Sequence, residues 1–166
     1  MDKVNRIKKL QEYMKENDIQ ALLIEDERNR EYLTYADIWE GSLLVTCEKA
    51  YLCVDFRYYE MAREYCRDCE IILCRDIDEM LEKMFRTEKI RSLAVERSRM
   101  ATARFLKMES LLKGGKILPG LCADAIVKEF RKIKDSYEAD CIRRAQKITD
   151  DAYEYILQTA CAGMKE

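Results

Sequence analysis

A chain of 166 residues with 48% hydrophobic side chains, one proline and five glycines has the composition of a folded domain, not of a disordered segment. Its 30 basic and 32 acidic residues nearly cancel, and with no lysine/arginine block among them they exclude a typical nucleic-acid surface. Histidine is absent, which removes the usual general base near neutral pH and the commonest metal ligand, and so argues against a self-contained hydrolase.

Apolar runs such as Ala21–Ile24 and Ser42–Cys47 are strand-sized and far too short to span a membrane. The amino terminus, Met1-Asp2-Lys3-Val4-Asn5-Arg6, opens into a charged amphipathic helix without a signal-peptide core, which predicts a cytoplasmic protein. The eight cysteines fit that compartment. Cys47 and Cys53 fall in strand-like runs, and Cys122, Cys141 and Cys161 in helical patterns, where a free thiol acts as a small hydrophobe. Cys66-Arg67-Asp68-Cys69, with Cys74 nearby, has metal or redox spacing. Lacking a second pair or a histidine, it reads as core and loop thiols.

In chain order, Val4, Ile7, Leu10 and Met14 recur at helical spacing and predict a helix over residues 2–16. Asn17-Asp18 suits a left-handed exit, and Ile19–Ile24 follows as a buried strand. Residues 25–40 read as a polar stretch. Gly41 introduces a second strand, Ser42–Cys47, and Glu48-Lys49 turns into a third, Tyr51–Asp55, giving a hairpin. Tyr58, Ala62, Tyr65 and Cys66 line a helix, and Glu70–Cys74 is a strand. Asp76 with Glu79 resembles a capping box opening a helix through Phe85. Ile90–Val95 is a strand, and Ala101, Phe105, Met108 and Leu112 mark a helix stopped at Gly114-Gly115. Lys116–Leu118 reads as an edge strand closed by Pro119, followed by a helix from about Leu121 to Ile133. Asp135, with Glu138 at the capping-box position, starts a long final helix with the face Ile142, Ala145, Ile148, Ala152 and Ile156. Strands alternating with helices predict an α/β three-layer sandwich whose sheet is mixed, flanked by helices, plus a carboxy-terminal linker helix.

Several short motifs lie along these elements. Arg6 to Ile24 resembles an opening helix and strand, and Asn29-Arg30-Glu31-Tyr32-Leu33-Thr34 an N-x-x-Y-L-T-G turn, with Tyr35 in place of the glycine. Leu43–Thr46 and Val54-Asp55-Phe56-Arg57-Tyr58 resemble a hairpin with a D-x-R-Y signature. Arg131-Lys132-Ile133-Lys134-Asp135 with Glu138 resembles an R-x-I-K-[SD]-x-x-E junction, with Ala139 in place of an aliphatic such as Ile. Gly163-Met164-Lys165-Glu166 resembles G-M-T-E at the entry to catalysis. In this order and spacing, the elements and motifs together resemble the amino-terminal domain of the creatinase/prolidase/aminopeptidase P family.

The resemblance implies residues 1–132 as the amino-terminal domain and 133–166 as the first helix of a "pita-bread" catalytic domain. It also implies a parent protein that removes an amino-terminal residue preceding proline or cleaves Xaa-Pro dipeptides. In that family two Asp, one His and two Glu hold a pair of divalent ions, manganese or cobalt, whose bridging hydroxide attacks the scissile carbonyl. Those ligands would lie beyond Glu166, so no catalytic or metal-binding residue is assigned here and the chain alone is expected to be inactive. The implied partners are its own catalytic domain, a second copy in a homodimer and a proline-containing peptide. A non-catalytic peptide- or protein-binding module, or a creatinase-type C–N hydrolase, are the alternative readings.

By the same resemblance, the loop after Thr34 borders the active site. It carries Asp37, an acid that can meet a substrate's free amino terminus, and Trp39, an indole that can wall the pocket against proline; the competing reading is local packing and solvation. Asp55 is expected to cap the helix that follows it and Arg57 to pair with a nearby acid. Asn29, Tyr32 and Tyr58 complete the structural motif. Arg131, Lys134 and Glu138 mark the interdomain junction.

Overall fold

A computed structural model of the chain describes residues 4–164 other than 67 and 99. Residues 2 and 3 of the expected first helix, Arg67 of the Cys-x-x-Cys stretch, and Lys165 and Glu166 of the terminal motif lie outside the described residues. The chain divides into two compact units, Asn5–Arg131 and a second containing residues 132–164.

The first unit is built on a six-stranded sheet. Its strands are β1 (Ala21–Ile24), β2 (Ser42–Thr46), β3 (Ala50–Val54), β4 (Glu70–Leu73), β5 (Ser92–Val95) and β6 (Lys116–Cys122), in the spatial order β4-β3-β2-β1-β5-β6. Only β2 is reversed. It pairs antiparallel with β1 (Leu23 opposite Leu44) and β3 (Leu43 opposite Leu52), while the β1–β5, β3–β4 and β5–β6 pairs are parallel. The carboxyl ends of five strands and the amino end of β2 therefore meet along one edge of the sheet.

The helices of this unit are α1 (Arg6–Glu16), α2 (Glu27–Thr34), α3 (Phe56–Tyr65), α4 (Ile77–Thr87), α5 (Thr102–Leu111) and, but for its last residue, α6 (Ala123–Lys132). Successive strand residues point to opposite faces, and the two cores divide accordingly. Leu22, Ile24, Leu43, Val45 and Leu52 pack with Leu10, Met14, Leu33, Ala62 and Val127 of α1, α2, α3 and α6. Ala21, Leu23, Leu44 and Cys53 pack with Leu81, Phe85 and Met108 of α4 and α5. The expected three-layer α/β sandwich with a mixed sheet is the observed one. The central strands are buried on both faces, which is why they read as unbroken apolar runs without polar alternation. Each such leucine contributes about 1.5–3 kcal/mol by leaving water.

Beyond shifts of one or two residues at strand and helix ends, several features differ from the sequence reading. α1 begins at Arg6, because the Asn5 side chain accepts from the Lys8 N–H and so terminates the helix one turn later than the apolar spacing suggested. The polar stretch contains α2, whose buried face is Asn29, Arg30, Leu33 and Thr34. A buried face made of polar groups leaves no apolar period to read. β6 continues through Pro119 to Cys122, with a register shift opposite Leu93 and Val95. On an edge strand at an irregularity, the missing proline N–H breaks no ladder bond. At Asp76 the helix cap is simpler than a capping box, its carboxylate accepting from the N–H groups of Asp78 and Glu79.

The second unit contains α7 (Ser136–Thr159), 24 residues long. Its capping box is present: Asp135 accepts from the Glu138 N–H and Glu138 accepts from the Asp135 N–H. None of its residues is buried.

Candidate functional site at the carboxyl edge of the sheet

The sheet edge where five strands end forms an open groove of about 610 Å³, lined among others by Glu25, Arg30, Trp39, Gly41, Asp55 and Arg104. Open α/β sheets bind ligands at this edge, where strand order switches direction. Here the switch falls at β1, which has β2 on one side and β5 on the other.

Two buried charges, Arg30 in the groove lining and Glu96 behind Glu25, organise the backbone around it. Glu96, directly after β5, is 3% exposed. One of its carboxylate oxygens accepts from the Glu25 and Asp26 N–H groups at 2.6 and 2.5 Å, and the other from the Asn29 carboxamide at 2.6 Å. Burial pushes the Glu96 carboxyl above its ordinary pKa, and these hydrogen bonds oppose the rise. Arg30 is 1% exposed. It donates from Nη1 to the carbonyls of Glu25 and Gly41 at 2.7 and 2.9 Å, and from Nη2 to those of Ile38 and Trp39 at 2.7 and 2.9 Å. Desolvation lowers its pKa while Glu96 and Glu25 oppose that shift, and the guanidinium remains charged. Gly41, at φ +153°, takes this place because a Cβ there would stand 2.7 Å from the Cys53 carbonyl oxygen.

The loop that Arg30 holds carries both gating candidates. Trp39 is 66% exposed and its indole N–H donates to Asp37 at 3.0 Å, so the structure brings the two together with each other. Asp37 is also exposed. Glu40, next to Trp39, forms an ion pair with Arg57, which also donates from Nε to Asp55 at 2.9 Å. Asp55 caps α3 by accepting from the Arg57 N–H at 2.9 Å, in the role expected of it. The Arg57 contacts hold the Asp55 carboxyl below the usual aspartate range and raise the Arg57 pKa. Across the groove, Arg104 bridges Glu25 and Asp78. Burial works against the Arg104 charge, but those two carboxylates outweigh it and raise its pKa.

The remaining motif residues are dispersed. Tyr32 and Tyr58 are half-buried against the first core. Arg6 lies over both the Tyr32 and Tyr35 rings at 4.1 Å. Tyr35, which stands where the resembled motif has glycine, takes the left-handed conformation, φ 59° and ψ 17°. Arg131 donates to Asn29 at 2.9 Å, Lys134 is exposed, and Glu138 serves the α7 cap. Arg30, Glu96 and Arg104 were not singled out from sequence. For Glu96 the available signal was position, since it directly follows a strand of the sheet, as Glu25 and Asp55 do; the helical Arg30 and Arg104 carried no such signal.

The groove carboxylates Glu25, Glu40, Asp55 and Asp78 are all engaged by arginine, and Asp76 by N–H groups. Among the described residues, no three Cys, Asp or Glu side chains converge as metal ligands. The chemistry on offer is recognition by an exposed indole on a held loop, and the residues do not fit a resident metal.

The sequence profile of the Creatinase/Prolidase N-terminal domain matches residues 6–133. The chain is 31% identical to the Xaa-Pro dipeptidase of Pyrococcus horikoshii, over all of this chain and 46% of that protein. It thus spans about half the length of this curated relative. The Xaa-Pro dipeptidase from Bacillus anthracis superposes with a TM-score of 0.87 at 24% identity, over 97% of this chain and 44% of the other. The N-terminal domain of the cytoplasmic peptidase PepQ from Mycobacterium tuberculosis superposes with a TM-score of 0.65 at 21% identity, over 74% of this chain and 97% of that one. Both structures share the fold.

Proposed function

Because the chain belongs to the creatinase/prolidase N-terminal domain family, we propose that it is the accessory domain of a proline-specific metallopeptidase, forming a wall and gate for that enzyme's active site. The observation that carries this reading is the full-length match to an Xaa-Pro dipeptidase, in which the chain accounts for 46% of the relative. The substrate proposed for the longer protein is an Xaa-Pro dipeptide or a peptide with proline in second position. Two divalent ions, manganese or cobalt, would be bound by the catalytic domain and supply the attacking hydroxide there. The boundary between accessory domain and catalytic helix is placed near residue 132. A cytoplasmic location and a homodimer belong to the same proposal; among the described residues, no helix is long and apolar enough to cross a membrane.

The contribution of this chain is positional. Trp39 offers an apolar face to a proline ring, and Asp37 fixes the indole while presenting a carboxylate to a substrate ammonium. Arg131, Lys134 and Glu138 stand at the junction from which the catalytic domain would continue.

The test is kinetic, on the longer protein loaded with manganese. Trp39→Ala is expected to raise KM for an Xaa-Pro dipeptide about tenfold, equivalent to ~1.4 kcal/mol of lost contact, with kcat little changed. Asp37→Asn is expected to raise KM more for a substrate with a free amino terminus than for a blocked one. The 166-residue chain alone is expected to hydrolyse neither. Unchanged KM in both variants, or metal-dependent turnover by the chain alone, would refute the reading.

A further inference from the structure

We infer that Arg30 is the positioning residue of the gate: its guanidinium holds the Ile38–Gly41 loop in one conformation and thereby sets where the Trp39 indole stands. The inference rests on reading that loop as the gate.

The geometry is specific. All four Nη–H bonds are spent on backbone carbonyls, three of them in the loop (Ile38, Trp39, Gly41) and one at the end of β1 (Glu25). One rigid side chain on α2 thus ties a loop with no helix or strand of its own to the central strand of the sheet. Each bond is charge-assisted and comes from a guanidinium withdrawn from water, a class of hydrogen bond that is strong and costly to lose when one partner is removed. By contrast, the loop's outer tie, Glu40 to Arg57, joins side chains that are 64% and 49% exposed. An exposed ion pair of that kind holds a loop weakly. The two ties are therefore unequal, and the buried one decides the loop's conformation.

Lysine cannot replace this residue. An ammonium is a point donor on a flexible stem and cannot reach four carbonyls at once, whereas the planar fork matches them without rearrangement. If charge alone mattered, through the nearby Glu25 and Glu96 carboxylates, lysine would serve.

Trp39 is the only tryptophan in the chain, so its fluorescence reports on the loop directly. In Arg30→Lys, the 15N order parameters of residues 38–41 are expected to fall from about 0.85 to about 0.6 or lower, with the strands unchanged. The fast component of the Trp39 anisotropy decay is expected to grow with them. Arg57→Met, which cuts the outer tie together with the Asp55 pair and leaves the Arg30 bonds in place, is expected to leave residues 38–41 ordered. Native-like loop order in a folded Arg30→Lys would overturn the inference, as would equal loosening by Arg57→Met. If Arg30→Lys does not fold, the native chain still decides: separate, slowly exchanging Arg30 Nη resonances support the clamp, and a single averaged signal overturns it. These readouts need no peptidase activity. A loosened loop with an unchanged KM in the longer protein would sustain the clamp and count against the gate alone.

Discussion

The carboxamide of Asn29 donates to buried Glu96 at 2.6 Å, and its oxygen accepts from Arg131 at 2.9 Å. One side chain therefore links the end of β5 to the last residue of the first unit, partners that lie 67 and 102 residues further along the chain. The asparagine of the N-x-x-Y-L-T motif is suited to this place by that orientation, since it donates to a carboxylate and accepts from a guanidinium.

That orientation makes Glu96→Gln costly. Glutamine must present one donor, either to the paired Glu25 and Asp26 N–H groups or to the Asn29 amide, and each alternative sets donor against donor. The expected loss is about 1–3 kcal/mol in denaturant unfolding. Burial raises the Glu96 pKa while its three hydrogen bonds oppose the rise, so the part of its stability linked to that shift is present in acid, below the ordinary glutamate pKa, and lost as pH rises through the folded-state value. The cost of glutamine is a different effect, read at neutral pH where the carboxylate accepts all three bonds. A loss well below about 1 kcal/mol there would show that these bonds contribute little.

Asp55 has the opposite sign. Its pKa is depressed by Arg57, so its contribution is present at neutral pH and lost as pH falls through the folded-state value. Asparagine is also a good helix cap but does not titrate. Asp55→Asn is expected to flatten the acid limb of the stability curve, and Arg57→Met to move the Asp55 titration midpoint upward by NMR. An unmoved midpoint would remove Arg57 as the cause.

Tyr35 stores strain against a contact. A left-handed non-glycine residue costs about 1–2 kcal/mol, and a cation over an aromatic ring returns about 0.5–2 kcal/mol. Tyr35→Gly is expected to shift stability by less than about 1 kcal/mol in the native background, because these two effects nearly cancel. In an Arg6→Met background the same change is expected to stabilise. Equal effects in both backgrounds would mean that Arg6 does not offset the strain.

The thiols should separate by exposure. Burial pushes Cys53 up to about 12, so it reacts only on unfolding, while exposed Cys161 is expected to label first with a maleimide. Peptide mapping of a short pulse checks this order. Early labelling of Cys53 would mean that the sheet core opens.

The fold was legible because its central strands are continuous apolar runs and its helices carry clear starts, Asp55 and Asp135 among them. α2 was not, because its inward face is built from Asn29, Arg30 and Thr34, polar groups whose partners are distant in sequence. The same property concealed the buried charges around the groove. Glu96 meets Asn29 only once β1 and β5 lie side by side, and nothing local to either residue announces the pairing. Trp39 and Asp37 could be picked out as loop residues, but the arginine that holds their loop looked like one surface charge among many.

The final helix gives the last expectation. Ile142, Ile148 and Ile156 are 53%, 70% and 55% exposed, and Ala145 and Ala152 complete the same exposed face. The capping box and the Lys147–Asp151 pair sustain the helix locally, at a few tenths of a kcal/mol for a pair of this kind. Most helix stability in proteins comes from a buried apolar face, and none of the α7 residues is buried. The amides of residues 140–160 are therefore expected to exchange much faster than those of β2, whose five residues are all buried. Exposed apolar stripes also drive association, so light scattering on the full chain is expected to show self-association that grows with concentration. A version ending at Lys134 is expected to keep its melting temperature, since both cores of the first unit lie before that residue. A monomer at every concentration, with α7 as protected as β2, would show that the apolar face of this helix is already satisfied.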